Sequence, residues 1–295
     1  FENCSFRKFF GLSKSLTKLL IEDLAPYETP ADRNTKIPLA LKVLVALNFY
    51  CSGSYQKRLG QDFLTCLSQA SVSRIITQIS RLIAEKLLNK YVTFPTTMAE
   101  VERVKTRFQE KYGIRGVIGV VDGTHIRLSG LNHLTAHSFL GRKRYHSLNV
   151  MMVCDADCFI TSVNANFPGS VHDSHIWRMS TLSTYLERKY NSFESETFLL
   201  GKYSLNFNFG ILKNRFRCLN GKERALRYNP QKASYIVVAC CVLHNLCIIA
   251  ELPRENENEN DCEIRDISNN ERTVDLINAG RIVQRRIINM MNPVP

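Results

Sequence analysis

An aspartate near the middle of the chain, Asp122, follows a short apolar run and precedes a glycine, a threonine and a histidine. The run, residues 116–121, is rich in β-branched side chains, which predicts a buried strand ending at the aspartate. A carboxylate there lies where open α/β sheets bind ligands. With further carboxylates it could hold two divalent ions that clamp a phosphodiester and activate water. Alone, an Asp-Gly pair is more often a turn, so both interpretations stay open.

Three other acids are candidates for further metal ligands. Asp173 is the best of them, because it follows a Pro-Gly turn at the predicted start of a helix. Either it or Ser170 could cap that helix, and we favour an interaction of the Asp173 carboxylate with the free backbone N–H groups over metal binding. Asp155 and Asp157 fall in the turn of a predicted hairpin, where we expect solvated turn acids.

Two histidines are also candidates. His125 is close to Asp122 in the sequence and could contact a metal ion or a phosphate, but a structural histidine bonded to the backbone is favoured. His244 and its neighbour Asn245 lie within a long apolar run. There, a pair of satisfied polar side chains is favoured over catalysis.

The elements that must position these residues change character near Gly113. Residues 1–110 have helical periodicity, whereas β-branched runs and turn residues follow. This order predicts an α/β fold. The elements predicted after Gly113 are strands at residues 116–122, 146–155, 159–166 and 197–201 and helices at residues 172–190 and 235–250.

A helix-turn-helix-like segment is predicted at residues 56–88. Apolar residues recur at helical spacing from Val72 onward, which predicts an amphipathic helix capped by Ser68 or Ser71. A short helix before it and a tight connection would complete a DNA-binding motif, with Arg74 exposed on the second helix. Any helical hairpin has the same pattern, and simple packing carries about equal weight.

The chain is strongly basic, with 39 Lys and Arg against 27 Asp and Glu and a net charge of +12. Such an excess favours polyanionic partners. The positive charge is concentrated at residues 202–235, and a basic triplet precedes the strand predicted at 146–155. Both are candidate DNA-phosphate surfaces, although a solvated helix face or sheet edge explains them about as well. The candidate contacts in these two segments are Arg142, Lys143, Arg144, Lys213, Arg215 and Arg217.

The composition excludes several classes of protein. With 44% hydrophobic and 22% charged residues, the chain is typical of a folded globular protein and not of a disordered or fibrous one. No uninterrupted apolar run reaches the ~20 residues of a membrane helix, so we expect no membrane contact. The ten cysteines include no C-x-x-C pair. This argues against a zinc site and indicates free thiols in a reducing compartment, the cytosol or the nucleus.

Five ordered blocks of sequence are similar to those of one known family. Residues 121–126, 141–156 and 166–177, with later blocks at 209–218 and 239–245, resemble the DDE superfamily endonuclease of PIF/Harbinger transposons and the Harbinger transposase-derived nucleases. The resemblance covers most of the chain up to about residue 250. It implies a ribonuclease H-like mixed sheet with flanking helices, a site for a divalent metal cation (Mg²⁺ or Mn²⁺), and cleavage of DNA phosphodiesters.

The three metal-binding acids that the resemblance implies are only partly present. The first maps onto Asp122, as both metal ligand and catalytic residue. The second is expected directly after the fourth strand, where this chain has Lys202, and the third where it has Asn206. Family members place several tens of residues between those acids, so we expect that an internal segment is missing. One carboxylate holds such cations weakly and a lysine opposes them, so the resemblance implies lost or impaired cleavage.

The sequence therefore predicts three parts and leaves two functions open. Residues 1–110 form a helical N-terminal region, residues 114–250 an endonuclease domain truncated near 202–208, and residues 251–295 an acidic, flexible tail with a short helix. The chain is either a metal-dependent DNA endonuclease with impaired cleavage or a non-catalytic DNA- or protein-binding derivative. The resemblance also implies a nuclear location and a separate DNA-binding partner protein.

Overall fold

The computed structural model describes residues 3–28, 37–53, 67–191, 197–201, 210–221 and 225–251. Several predictions concern residues outside these ranges. The first part of the helix-turn-helix-like segment, residues 56–66, lies outside them, as does the acidic tail beyond residue 251. Lys202 and Asn206 also lie outside the described residues.

A mixed four-stranded sheet forms the centre of the fold. β1 (Val117–Arg127), β2 (Ser147–Cys154) and β3 (Ile160–Pro168) pair antiparallel in succession, and β4 (Phe198–Gly201) pairs parallel to β1 on its other side. The spatial order is therefore β3-β2-β1-β4. With its flanking helices, this sheet confirms the predicted α/β class and is consistent with the ribonuclease H-like arrangement.

Helices form the part of the chain that precedes the sheet. α1 (Asn3–Phe10), α2 (Lys14–Leu24) and α3 (Leu39–Ser52) come first. They are followed by α4 (Gln69–Leu82), which continues through a π-helical turn over Ile83–Leu87 into α5 (Leu88–Tyr91), and by α6 (Met98–Tyr112).

The amphipathic helix predicted from Val72 onward is α4. Ser68 caps it, because its hydroxyl accepts a hydrogen bond from the backbone N–H of Ser71 at 3.2 Å. Val72 and Ile76 are fully buried on its inner side, whereas Arg74 is exposed. The periodic apolar residues of the sequence thus correctly indicated which side of this helix faces the core.

The helix predicted at residues 172–190 is wrong in its continuity. After a short unpredicted helix, α7 (His133–Phe139), and the two strands that follow it, the chain forms two separate helices, α8 (Asp173–Arg178) and α9 (Thr181–Asn191). The break occurs at Ser180, whose hydroxyl accepts a hydrogen bond from the Ser183 backbone N–H at 3.1 Å. Such a bond is typical of a new helix N-terminus.

The predicted cap of the first of these helices is also wrong. His172 occupies the cap position of α8, and its side chain accepts a hydrogen bond from the backbone N–H of Ser174. Asp173 is the first helical residue, and Ser170 instead donates its hydroxyl to the carbonyl oxygen of Ser138. The Asp173 carboxylate is thus available for contacts with the sheet.

A long buried helix crosses the largest core. After the short α10 (Gly210–Arg215), α11 (Pro230–Ile249) begins earlier than the predicted residue 235, because Asn229 caps it by accepting a hydrogen bond from the Lys232 backbone N–H. The core around it includes side chains of the N-terminal helices and of β2. By length and composition α11 could span a membrane, but 67% of its apolar window is buried inside the protein, as in the core helix of a globular protein.

The turn between β2 and β3 differs from the solvated turn predicted there. The Asp155 carboxylate is half-buried and accepts hydrogen bonds from the backbone N–H groups of Asp157 and Phe159, each at 2.9 Å. Burial raises the pKa of Asp155 despite these bonds. Asp157 forms ion pairs with Arg107 at 2.7 Å and Lys111 at 3.2 Å, and the hydrogen bond from Arg107 is the main cause that lowers its pKa. These acids stabilise the turn and its contact with α6.

Candidate functional site

Asp122 lies within a strand and not at its end. β1 continues past it to Arg127, and Asp122 stands directly opposite Met152 of β2. On the other side of β1, the short strand β4 ends at Gly201, which pairs with Val121. The described part of β4 therefore reaches the residue of β1 that precedes Asp122.

The side chain of Asp122 lies on the face of the sheet that packs against α11. Residues directly opposite one another on antiparallel strands share a face, and Met152 contacts Cys241 of the buried helix α11. Asp122 is half-buried, and its Oδ2 atom is completely buried. Asp122 therefore lies at the margin of the core, directly after the residue of β1 that pairs with Gly201.

Lys213 brings a positive charge to the same face. Its ammonium group donates a hydrogen bond to Thr124 Oγ1 at 2.7 Å and a longer one to the carbonyl oxygen of His125 at 3.4 Å. Thr124 is two residues beyond Asp122, so strand alternation puts both side chains on one face. The contact ties α10 to β1. Lys213 was predicted to contact DNA, but in the structure it is half-buried and bonded within the protein.

Asp173 approaches β1 from the opposite face. A Cβ atom at Gly123 would lie 2.6 Å from Cγ of Asp173, so the carboxylate covers this glycine. The buried side chain of Asn149 fixes it by donating hydrogen bonds to Asp173 Oδ1 at 2.6 Å and to the carbonyl oxygen of Val171 at 2.9 Å. Because consecutive residues of a strand project to opposite faces, the structure does not bring Asp122 and Asp173 together.

His125 lies on the Asp173 side of β1. Its Nδ1 atom shares a hydrogen bond with the hydroxyl of Ser147 at 3.0 Å, so the bonded partner is a side chain and not the predicted backbone. Burial is the main cause that lowers the pKa of His125, and the Asp173 carboxylate opposes this effect. Three nearby cations lower it further: Lys213, Lys143 and Arg142.

The other predicted DNA contacts fall into two groups. Arg74, Arg142, Lys143, Arg144 and Arg217 have exposed side chains. Arg215 instead points inward. One of its guanidinium nitrogens is buried, and its charge opposes the rise that burial causes in the pKa of the Cys247 thiol. Of the exposed residues, Arg142 and Lys143 lie close enough to His125 to affect its pKa.

Two predictions about buried polar residues can be compared with their contacts. His244 Nε2 shares a hydrogen bond with the carbonyl oxygen of Cys158, and Asn245 bonds both backbone groups of Ile160 and the carbonyl oxygen of Tyr91. Both are buried residues hydrogen-bonded to backbone groups, which agrees with the structural role predicted for them. Asn149 was missed by the sequence analysis. The signal that could have revealed it is an amide residue inside an otherwise apolar strand.

The described residues do not fit the metal centre that the resemblance implies. Among them, no group of three or more His, Cys, Asp or Glu side chains is placed to hold a metal ion. Asp122 and Asp173 face opposite sides of β1, and Lys213 occupies the Asp122 face. A pair of divalent ions requires several carboxylate oxygens, and at the two positions where the resemblance implies the other acids the sequence has Lys202 and Asn206.

Comparison with known proteins identifies the family. The model of the DDE superfamily endonuclease family matches residues 121–206 and 205–245. HARBI1 of Bos taurus, a protein named as a nuclease, is 34% identical over an alignment of 272 positions. This alignment covers 81% of this chain and 76% of the relative. The chain belongs to the Harbinger transposase-derived DDE endonuclease family. HARBI1 of Homo sapiens is also 34% identical, over 269 residues with the same coverage.

A more distant relative is also similar to the chain. The Arabidopsis thaliana protein named antagonist of like heterochromatin protein 1 is 23% identical over 186 residues, which cover 61% of this chain and 46% of that protein. No solved structure matches the chain.

The alignments with Harbinger-family proteins are interrupted, whereas the internal loss itself stays a prediction. The family model matches in two pieces that overlap at residues 205 and 206, and the third acid is expected at Asn206. The alignment with the Bos taurus relative spans 272 positions, more than 81% of 295 residues can supply. The relative therefore has residues with no counterpart in this chain.

Proposed function

We propose that this chain is a DNA-binding protein derived from a Harbinger transposase, in which efficient phosphodiester cleavage has been lost. Its membership of the DDE endonuclease family supports DNA as the partner. The net charge of +12 and the exposed cations at Arg142, Lys143 and Arg144 support binding to its phosphates.

One observation carries the proposed loss of cleavage. The described part of β4 includes Gly201, which pairs with Val121, the residue before Asp122. The family would supply its second acid at the next residue in the sequence, where this chain has Lys202. Replacing a carboxylate with an ammonium group changes the local charge by two and repels the cations that the chemistry needs. The remaining carboxylate of Asp122 is insufficient to hold two of them.

We further propose that the protein acts in the nucleus together with a separate DNA-binding protein. The free thiols support a reducing compartment: the described cysteines, such as Cys154 and Cys240, are unpaired by disulfides. The family supports the partner protein only by resemblance, and the helix α4 with its exposed Arg74 is the alternative source of DNA contact within the chain.

A second candidate function is binding to another protein without contact to DNA. A family member from Arabidopsis thaliana carries a name that describes antagonism of a heterochromatin-like protein. A protein-directed role is thus named for one relative of the chain. For the present chain, the excess of positive charge favours DNA over an uncharged protein surface.

The test compares binding and cleavage by the full chain. Binding to a labelled duplex is measured by fluorescence anisotropy, and nicking of a supercoiled plasmid is measured with Mg²⁺ or Mn²⁺ added. We expect binding that weakens steeply as the salt concentration rises. We expect wild type and Asp122→Asn to nick the plasmid no faster than buffer alone. Metal-dependent nicking that disappears in Asp122→Asn would refute the lost cleavage. If the chain binds no DNA but still binds another protein, the second candidate would be favoured.

A further inference from the structure

A compact basic turn joins the region after β1 to the start of β2. We define the basic tip as residues 140–146. It is closed by a bridge between Leu140 and His146 and by the hydrogen bonds from Gly141 N–H to Tyr145 O at 3.1 Å and from Arg144 N–H to Gly141 O at 2.9 Å. The Leu128 N–H, just beyond β1, donates to His146 O at 2.8 Å and attaches the tip to the sheet.

The charged side chains of the basic tip are held on a fixed backbone. Arg144 has a φ of 57°, a conformation uncommon for residues other than glycine, which the surrounding hydrogen bonds maintain. A Cβ atom at Gly141 would lie 3.2 Å from the carbonyl oxygen of Gly169, so the base of the tip packs closely against the turn that follows β3. The three cations therefore project from a preorganised support, which reduces the entropy lost on binding.

The same three cations are available to an external partner. Arg142, Lys143 and Arg144 are exposed, and none of the ion pairs formed by the described residues includes them. Two other exposed cations differ in this respect, since Arg107 and Lys111 are already paired with Asp157. A cluster of three adjacent cations without carboxylate partners in the described part of the chain fits a polyanion.

The aromatic residue of the tip is already occupied. The guanidinium of Arg127 lies 4.2 Å from the centre of the Tyr145 ring, and the ring of His125 meets Tyr145 edge to face at 6.4 Å between centres. The stem of Arg127 is itself fixed, because a Cβ at Gly221 would lie 2.8 Å from its Cγ. Tyr145 thus supports the tip, and the Arg127 guanidinium already lies over its ring.

From these contacts we propose that the basic tip binds the backbone phosphates of duplex DNA without reading the base sequence. This deepens the proposed function and rests on it. Arg142, Lys143 and Arg144 supply the phosphate contacts, whereas Tyr145 and Arg127 hold the tip in place. Phosphate contacts position a protein on DNA but carry no sequence information, so the tip should bind unrelated duplexes equally.

The experiment measures the salt dependence of DNA binding by three forms of the full chain. The first is the wild type, and the second is R142Q/K143Q/R144Q. The third, R103Q/R115Q/R188Q, is a matched control that removes three exposed cations elsewhere. Each form is titrated with two duplexes of unrelated sequence, and its thermal unfolding is recorded to confirm the fold.

We expect the plot of log K against log salt to be less steep for the tip variant than for wild type, by about 2 to 3. Each lost phosphate contact reduces the steepness by about 0.9. The control should change the slope by less than 1, and neither should discriminate between the duplexes. Equal slopes for the tip variant and the control would overturn the inference while leaving DNA binding by the chain intact. The same holds if wild type prefers one duplex and the tip variant does not. Absence of DNA binding by the wild type would instead overturn the proposed function as well.

A third measurement separates DNA from an acidic protein as the ligand. A polyglutamate peptide at equal charge concentration should displace the duplex from the wild type only weakly, because it lacks the regular spacing of phosphates. Displacement by polyglutamate that is stronger than that by a second duplex, and that requires the tip cations, would contradict the assignment to DNA.

Discussion

The carboxylate of Asp173 occupies the space that a side chain at Gly123 would need. A Cβ atom at that position would lie 2.6 Å from Cγ and 2.6 Å from Oδ1 of Asp173. The carboxylate has little freedom to withdraw, because the buried amide of Asn149 donates a 2.6 Å hydrogen bond to it. The glycine after Asp122 is thus required by packing against the start of α8, and no metal ligand is needed to explain it.

This relationship predicts that Gly123→Ala is destabilising. The new methyl group displaces the Asp173 carboxylate, and overpacking of this kind costs about 1–3 kcal/mol in the free energy of unfolding. Gly201→Ala is the matched control, because a Cβ there has no neighbour within 4 Å among the described residues. Urea unfolding of both variants provides the measurement.

A double-mutant cycle would make the Gly123 prediction specific. Asp173→Gly removes the obstructing carboxylate, so the double variant should recover much of the stability lost in Gly123→Ala. Purely additive losses, or equal effects of Gly123→Ala and Gly201→Ala, would contradict the packing relationship.

The pH dependence of stability should carry a contribution from His125. Burial lowers the pKa of this histidine in the folded protein below its usual value. The folded state then binds fewer protons than the unfolded state, so this contribution is present above the usual pKa of about 6.5 and is lost as the pH falls through the folded pKa.

The matching variant is His125→Gln, which retains a polar group beside Ser147. Unfolding free energies are measured at pH 8 and pH 5.5 for this variant and for wild type. We expect wild type to lose more stability than the variant between these pH values. An identical loss would show that His125 has an unperturbed pKa.

Asn245 should be one of the most important polar residues for stability. It is completely buried, accepts from Ile160 N–H at 2.8 Å, and donates to the carbonyl oxygens of Tyr91 and Ile160, each at 2.7 Å. Asn245→Ala leaves these buried backbone groups unsatisfied and should cost about 2–4 kcal/mol. Ser234→Ala, at a half-exposed position of the same helix, should change stability by about 0.5 kcal/mol or less. A comparable effect of the two substitutions in thermal unfolding would argue against this role.

Lys213 should contribute to stability more than to DNA binding. Its bond to Thr124 joins α10 to β1, so Lys213→Met should lower the unfolding free energy by about 1 kcal/mol. Arg217→Gln, at a nearby exposed cation, should leave stability unchanged. In salt titrations, Lys213→Met should leave the slope for duplex DNA nearly unaltered. A fall of that slope by about 1, as expected for a lost phosphate contact, would restore Lys213 as a DNA-binding residue.

The elements that the sequence predicted well are those with strong local signals. The strands β2, β3 and β4 and the helix α4 have apolar runs close to the observed length, and Ser68 is one of the two residues predicted as the cap of α4. The buried pair His244 and Asn245 was predicted because polar residues inside an apolar helix need partners.

The failures arise where side-chain contacts, which apolar spacing does not show, decide the structure. Apolar spacing favours one helix at 172–190, but the Ser180 hydroxyl provides a local alternative that divides it. The Asp173 side chain was expected at its own helix terminus, whereas a residue of a distant strand, Asn149, holds it against the sheet. Nor could the sequence show that β1 extends beyond Asp122, since glycine, threonine and histidine are typical of turns as well as of strands.

Calorimetric titration of Mn²⁺ into the full chain tests the central claim most directly. The account predicts no saturable binding that depends on Asp122, so that wild type and Asp122→Asn give the same weak heats, because a single carboxylate cannot hold a pair of divalent ions. Stoichiometric binding of two ions to wild type, abolished in Asp122→Asn, would contradict it.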